Sequence, residues 1–219
     1  MSNSESNETL TRMGPGAAMG RVFRQFWQPA LLSEELPVAD CPPVRVRLMG
    51  EDFVAFRDSS GKVGLLDAHC PHRLADLFFG RNEEGGLRCV YHGWKFSVAG
   101  EILDMPSEPQ GSPMRCNPNL RAKAYPVREA GGIIWAYLGP QESMPALPDM
   151  EFMSLPPQNV HVSKCLMKCN YLQALEGSID TAHLTFLHHS MAPMEKDVFA
   201  VGNLQEFGDA DGAPRFFCE

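Results

Sequence analysis

The chain contains no apolar run of 18 residues, so no stretch of it reads as a membrane-crossing helix. The opening residues, Met1 to Leu10, have neither the basic head nor the apolar centre of a secretory signal. Cytoplasm is therefore the expected location. Positive charge is also scarce: 19 Lys and Arg stand against 27 Asp and Glu, a net charge of −8. That balance gives no basic footprint for nucleic acid or anionic lipid, and neither a nucleic-acid partner nor a membrane is expected. A disulfide framework is missing too, because the seven cysteines are odd in number and the expected compartment is reducing. Cysteines without a metal to bind are expected to be free and buried, like small hydrophobes. What is abundant is turn-forming sequence, with 18 Pro and 19 Gly in 219 residues that are 44% hydrophobic and 21% charged. Such a chain is a globular protein of one to two domains, able to bury roughly 70% of its unfolded surface.

The chemistry concentrates between His69 and Trp94. His-Cys-Pro-His-Arg is followed, with sixteen residues between its second histidine and the next cysteine, by Cys-Val-Tyr-His-Gly-Trp. One residue separates Cys70 from His72 and two separate Cys89 from His92, so each of two short loops offers one thiolate and one imidazole. Two cysteines and two histidines split in this way fit a two-iron cluster in which one iron takes both sulfurs and the other both imidazoles. Neutral imidazoles in place of thiolates leave the cluster less negative and raise its potential, which suits an electron relay. The alternative is structural zinc, against which the one-residue Cys-x-His spacing argues. His69 precedes a set that is already complete. Tyr91 and Trp94 border the set, either as packing that excludes water or as groups that tune the potential. Cys165 and Cys169 near His161 suggest either a second metal site or packing positions along a strand, and the second reading is preferred.

These loops, with the run from Arg81 to Phe96, resemble the Rieske 2Fe-2S domain of ring-hydroxylating oxygenases of the phthalate dioxygenase type. The resemblance implies that His72 and His92 bind one iron of the cluster and turn their outer nitrogens toward the surface. Around this centre the sequence reads as an α+β chain. Residues 1–20 are small and polar and are expected to form a flexible N-terminus. Residues 21–140 read as the cluster domain, an N-terminal arm followed by an all-β, antiparallel set of short strands. Val44 to Leu48, Asp52 to Phe56, Val63 to Leu66, Leu87 to Tyr91, Trp94 to Ser97, Ala122 to Val127 and Ile133 to Leu138 are punctuated by turns such as Asp58-Ser-Ser-Gly61. Residues 141–157 form a Pro-rich linker, whose proline density excludes helix and central strand. From residue 158 a second domain opens with the strand-like alternation of Val160 to Leu166 and turns helical at Asn170. By resemblance this is the first part of a helix-grip catalytic domain.

Leu172, Leu175, Ile179, Ala182 and Phe186 recur at helical spacing, the pattern of a buried stripe. At about 100° per residue, Glu176 and His183 fall within about 20° of one another and Asp180 lies about 60° from His183, all beside the stripe. His188 falls about 140° from His183 on an ideal helix, so both reach one ion only if the helix loosens or ends nearby. Spacing alone leaves open whether these histidines are ligands or satisfied core residues. Asp180-x-x-His183-x-x-x-x-His188 resembles the mononuclear iron motif of the same oxygenases. The resemblance implies Fe(II) on His183 and His188, with Asp180 relaying electrons to the cluster of a neighbouring subunit. His189 falls outside that count, and Asn170 and Gln173 read as helix-start residues.

The implied whole is the oxygenase component of a multicomponent system. A flavin- and ferredoxin-type reductase supplies NAD(P)H-derived electrons, dioxygen is activated, and a small aromatic substrate, an aromatic carboxylate by the same resemblance, is hydroxylated or demethylated in a homotrimer or hexamer. The family's third iron ligand, a distant carboxylate, has no counterpart. Glu195, Asp197, Glu206, Asp209, Asp211 and Glu219 all lie too close to His188, and the expectation is a chain lacking roughly half of the catalytic domain. The rival reading is a Rieske ferredoxin-like carrier or an inactive fragment.

Overall fold

The computed structural model describes residues 4–180, with His183 and Leu187. The chain divides into two compact units, Met1–Cys165 and Leu166–Glu219.

The first unit opens with two short helices, α1 (Ser4–Thr11) and α2 (Ala18–Phe23), where the sequence suggests an unordered start. Thr9 and Thr11 hydroxyls donate to the Glu5 and Asn7 carbonyls, and Glu8 pairs with Arg12 one turn on. No residue of α1 is buried, so these local contacts rather than packing account for it.

Eleven strands follow among the described residues: β1 (Trp27–Leu32), β2 (Val44–Leu48), β3 (Glu51–Arg57), β4 (Val63–Asp67), β5 (Arg81–Glu83), β6 (Gly86–Arg88), β7 (Lys95–Phe96), β8 (Ile102–Asp104), β9 (Ala124–Tyr125), β10 (Val127–Ala130) and β11 (Ile133–Tyr137). All pairings are antiparallel and make three sheets, ordered β1-β11-β10, β2-β3-β4-β9 and β5-β6-β7-β8. The middle sheet explains the architecture. Successive side chains of a strand point to opposite faces, and both faces of β3 and β4 are buried. Phe53, Ala55 and Leu65 join Leu31, Ile134 and Ala136 in one core, while Val54, Phe56 and Leu66 join Leu77, Leu87, Trp94 and Phe96 in another. The second core underlies the metal-binding motif.

β1 is a strand that the sequence reads only as part of an arm. Its Pro29 lacks an N–H and falls where the pairing with β11 slips, between Pro29 and Leu31, so the missing donor sits at an irregularity. The Pro-rich segment contains neither α-helix nor strand, only single 3-10 turns at residues 141–143, 151–154 and 157–159. It is packed, however. Met144, Leu147, Met150, Phe152 and Met153 lie on Trp27, Trp135 and Tyr137, and the Trp27 indole donates to the Pro145 carbonyl at 2.9 Å. Val160 to Leu166, expected as a strand, is not one: its alternation finds no pairing partner among the described residues.

In the second unit α3 (Tyr171–Ile179) starts where the periodicity places it, capped by Asn170, whose side-chain oxygen accepts from the Gln173 N–H at 3.1 Å. The stripe on α3 is not buried as expected. Leu175 and Ile179 are about half exposed, because an apolar face is covered only where a second apolar surface meets it, and the described residues of this unit supply none. No helix among the described residues is long and apolar enough to cross a membrane.

Candidate metal centres

Two loops of the first unit carry the motif, one leaving β4 and one joining β6 to β7. The same pair of backbone bonds closes each. Cys70 N–H donates to Ala75 O at 2.8 Å and Leu74 N–H to Cys70 O at 2.9 Å; Cys89 N–H donates to Trp94 O at 2.8 Å and Gly93 N–H to Cys89 O at 3.0 Å. In both, the fourth residue after the cysteine is left-handed, Leu74 with φ 56° and Gly93 with φ 77°. The loops are conformational twins even though histidine follows cysteine by two residues in one and three in the other.

Cys70 and Cys89 are both 2% exposed, set in the core with Leu77, Leu87, Trp94 and Phe96, and their thiols lie within hydrogen-bonding reach of each other. Burial, opposed by the His72 backbone N–H and reinforced by the Cys89 neighbour, pushes the Cys70 thiol up to about 11. A metal taking this ligand has to displace its proton. The imidazoles sit outward. His72 and His92 are half-buried, with ring centroids 4.5 Å apart and planes at 61°. The fully buried Trp94 ring lies parallel to His72, 2° off and 4.4 Å away, and the exposed Tyr91 ring lies 3.9 Å from His92. Burial, with help from His92 and Arg73, lowers the His72 pKa, which favours the neutral ring a metal needs.

His72 Nδ1 is buried and has no hydrogen-bond partner among the described residues. A nitrogen hidden from water without a partner is costly unless something binds it. Among the described residues no three His, Cys, Asp or Glu side chains converge as ligands of one ion would. The four donors stand as two pairs, thiol with thiol and imidazole with imidazole. Zinc asks for four donors around one centre, whereas a mixed-ligand two-iron cluster asks for one pair per iron. The donor set fits the cluster.

The sequence reading misses the residues that hold these loops. Arg88, directly before Cys89, donates to Glu83 at 2.7 Å, to Asp104 at 2.8 Å and to the Gly93 carbonyl at 2.7 Å. A third segment, legible only as a Pro-rich loop, also approaches: Pro106 packs on Gly93, and Glu108 lies close enough to His72 to oppose the lowering of its pKa. That loop is braced by Arg115, which donates to the Met105 and Glu108 carbonyls, and by Ser112, which donates to Glu108 at 2.9 Å. Proline density marks such a loop as stiff but does not say what it covers. His69 is exposed and bridges to Asp76 in the first loop.

In the second unit, α3 ends at Ile179 and Asp180 is its cap residue. The Asp180 carboxylate stands 3.2 Å from His183 Nδ1, and the His183 carbonyl accepts from Leu187 N–H at 2.7 Å. Glu176 is exposed and accepts from Gln173 at 2.9 Å. His188 lies outside the described residues. Cys165, Cys169 and His161 are exposed and form no metal-binding group among those residues. Of the remaining cysteines, Cys41 is buried as expected, Cys116 is exposed and Cys218 lies outside the described residues.

Comparison with known proteins follows this geometry. Residues 26–126 match the model of the Rieske [2Fe-2S] domain, and residues 136–217 match that of the LigXa C-terminal domain like family. The chain is 49% identical over 188 residues to the 3-chlorobenzoate-3,4-dioxygenase oxygenase subunit of Comamonas testosteroni, covering 86% of this chain and 43% of that protein. It is 45% identical over 190 residues to the phthalate 4,5-dioxygenase oxygenase subunit of Pseudomonas putida, covering 87% and 43%. Among solved structures, dicamba monooxygenase bound to 3,6-dichlorosalicylic acid is similar at a TM-score of 0.63 and 26% identity, over 75% of this chain and 47% of that one. The oxygenase in the reduced oxygenase–ferredoxin complex of carbazole 1,9a-dioxygenase is similar at 0.59 and 25%, over 81% and 43%. The chain thus spans less than half the length of the curated relatives it matches. The paired donors on twin loops and these likenesses together identify residues 26–126 as a Rieske [2Fe-2S] domain, in a chain similar to the oxygenase subunits of Rieske oxygenases.

Proposed function

We propose that Cys70, His72, Cys89 and His92 hold the 2Fe-2S cluster, that His183 and His188 hold a mononuclear iron, and that the whole protein is the oxygenase component of a multicomponent aromatic oxygenase. The observation that carries this is the sorting of the four donors, with two thiols in the core and two imidazoles meeting at the surface. When bound, the cluster carries single electrons and the mononuclear iron activates dioxygen. The protein's part is positional. Cys70 and Cys89 keep one side of the site dry, Trp94 fixes the plane of His72, and the imidazoles stand on the outward side. Asp180 holds Nδ1 of His183, which orients that ring and leaves Nε2 for a metal.

The same carboxylate is suited to a second bond, to the histidine corresponding to His92 on a neighbouring subunit, which would make Asp180 the electron relay of a trimer or a multiple of it. A reductase of the flavin and ferredoxin type is the electron donor, in keeping with the ferredoxin complex of the carbazole relative. The substrate class is an aromatic carboxylate, as the names of the chlorobenzoate and phthalate relatives suggest. Asp180→Asn tests the relay. Turnover of phthalate or 3-chlorobenzoate is expected to collapse while the cluster and the mononuclear iron both stay bound, and full activity in that variant refutes the role.

A further inference from the structure

The two ligand loops share a backbone but are not held alike. The first is tied by Asp76, which accepts from the Phe78 N–H at 2.9 Å and pairs at 2.8 Å with Arg45, a side chain 54% exposed. The second is tied by Arg88, only 13% exposed, whose guanidinium reaches three groups on three segments: Glu83 on β5, Asp104 on β8 and the carbonyl of Gly93 between His92 and Trp94. Arg88 is opposite Lys95 in the β6–β7 pairing, and Lys95 is opposite Asp104 in the β7–β8 pairing, so the fork spans the sheet from one side of the loop to the other. A planar guanidinium serves several acceptors at once in fixed directions, which an ammonium on a flexible stem does not.

We infer that Arg88 is the positioning residue of the second ligand loop, fixing the Gly93 carbonyl, and through it His92, against His72. This rests on the assignment of the four cluster ligands. Arg88 touches neither iron nor substrate; it sets where the second imidazole stands. The Arg45–Asp76 pair of the first loop, whose guanidinium is 54% exposed against 13% for that of Arg88, is the more screened of the two. The half-buried fork on the second loop keeps more of its strength.

The test compares Arg88→Met, Arg88→Lys and Asp104→Asn in the intact, cluster-loaded protein. The readouts are the electron paramagnetic resonance g-values and reduction potential of the cluster, its rate of loss to an iron chelator, and the thermal midpoint. Arg88→Met is expected to lose the cluster about tenfold faster or more, in the range of other residues that orient metal ligands, with shifted g-values and potential. Arg88→Lys is expected to recover the thermal midpoint through its charge but not the wild-type spectrum, because it lacks the fork. Should Arg88→Met fail to fold, Asp104→Asn, which keeps the guanidinium and removes one anchor, is expected to show the same spectral shift in smaller measure. Variants that melt earlier while their clusters keep wild-type g-values and potential overturn the inference and leave Arg88 a structural residue. A wild-type protein that takes up iron without the Rieske signal overturns the ligand assignment itself, and the role of Arg88 with it.

Discussion

Gly93→Ala isolates the close approach between the second ligand loop and the Pro-rich loop beside it. Two costs add. Gly93 has φ 77°, and an L-residue in the left-handed region loses about 1–2 kcal/mol. A Cβ built there stands 2.7 Å from Pro106 Cγ, well inside the roughly 3.5–4.0 Å at which carbon atoms pack best. The pyrrolidine ring cannot rotate away, so relief requires one loop to move, an overpacking cost of about 1–3 kcal/mol. The total is about 2–5 kcal/mol. Gly85→Ala is the control, since Gly85 has φ 80° with nothing within 4 Å of its Cβ and bears the first cost alone. For a chain of this size each kcal/mol moves the thermal midpoint by about 2–4 °C, so the two variants are expected to melt visibly apart, with Gly93→Ala lower. Adding Pro106→Ala to Gly93→Ala is expected to return part of the difference. Equal midpoints for the two glycine variants, with no rescue by Pro106→Ala, refute the contact.

Trp94→Ala is expected to cost about 3–5 kcal/mol in chemical denaturation, because the indole is fully buried and stacked on His72; a cost under about 1 kcal/mol contradicts its place in the core. Acid should destabilise the protein through Glu129, which the Arg57 guanidinium, joined to it by two 2.9 Å bonds, holds below its ordinary value. The stability from a lowered carboxylate is present above its unfolded pKa and lost as pH falls through the folded one, so thermal midpoints are expected to fall below about pH 4.3 and Glu129→Gln to flatten that fall. An unchanged acid profile in Glu129→Gln excludes the pair as the cause. Cys70→Ser is expected to abolish the visible absorption of the cluster, while His183→Ala leaves it intact and lowers iron per chain by one; loss of both centres in both variants argues against separate sites.

The strands of the middle sheet were legible because they are local: apolar alternation and the Asp58 turn mark β2, β3 and β4 without reference to the rest of the chain. β1 was hidden because its strand character comes from a partner more than a hundred residues away and its own sequence carries Pro29. The Pro-rich segment shows a similar limit. Proline excludes helix and central strand, but the packing of Phe152 and Met153 on Trp135 depends on a surface that only the folded domain supplies. Val160 to Leu166 fails the other way, since alternation without a pairing partner among the described residues makes no strand. At the site, the four donors announced themselves by residue type and spacing, whereas Arg88 and Glu108 did not. A charged residue beside a motif looks like any surface charge until the fold shows which carbonyl or imidazole it faces.

The unequal spacings Cys-x-His and Cys-x-x-His sit on equivalent turns. Each cysteine begins a turn closed from its own N–H to the carbonyl five residues on, so both thiols enter the core from equivalent positions and meet. The two imidazoles, two residues after one cysteine and three after the other, stand with ring centroids 4.5 Å apart and planes at 61°. The left-handed residue that closes each turn is Gly93 where Pro106 presses against it, and Leu74, 72% exposed, where nothing demands glycine. The twin turns thus set thiol beside thiol in the core and imidazole beside imidazole outside it, the division that a cluster with chemically distinct irons requires.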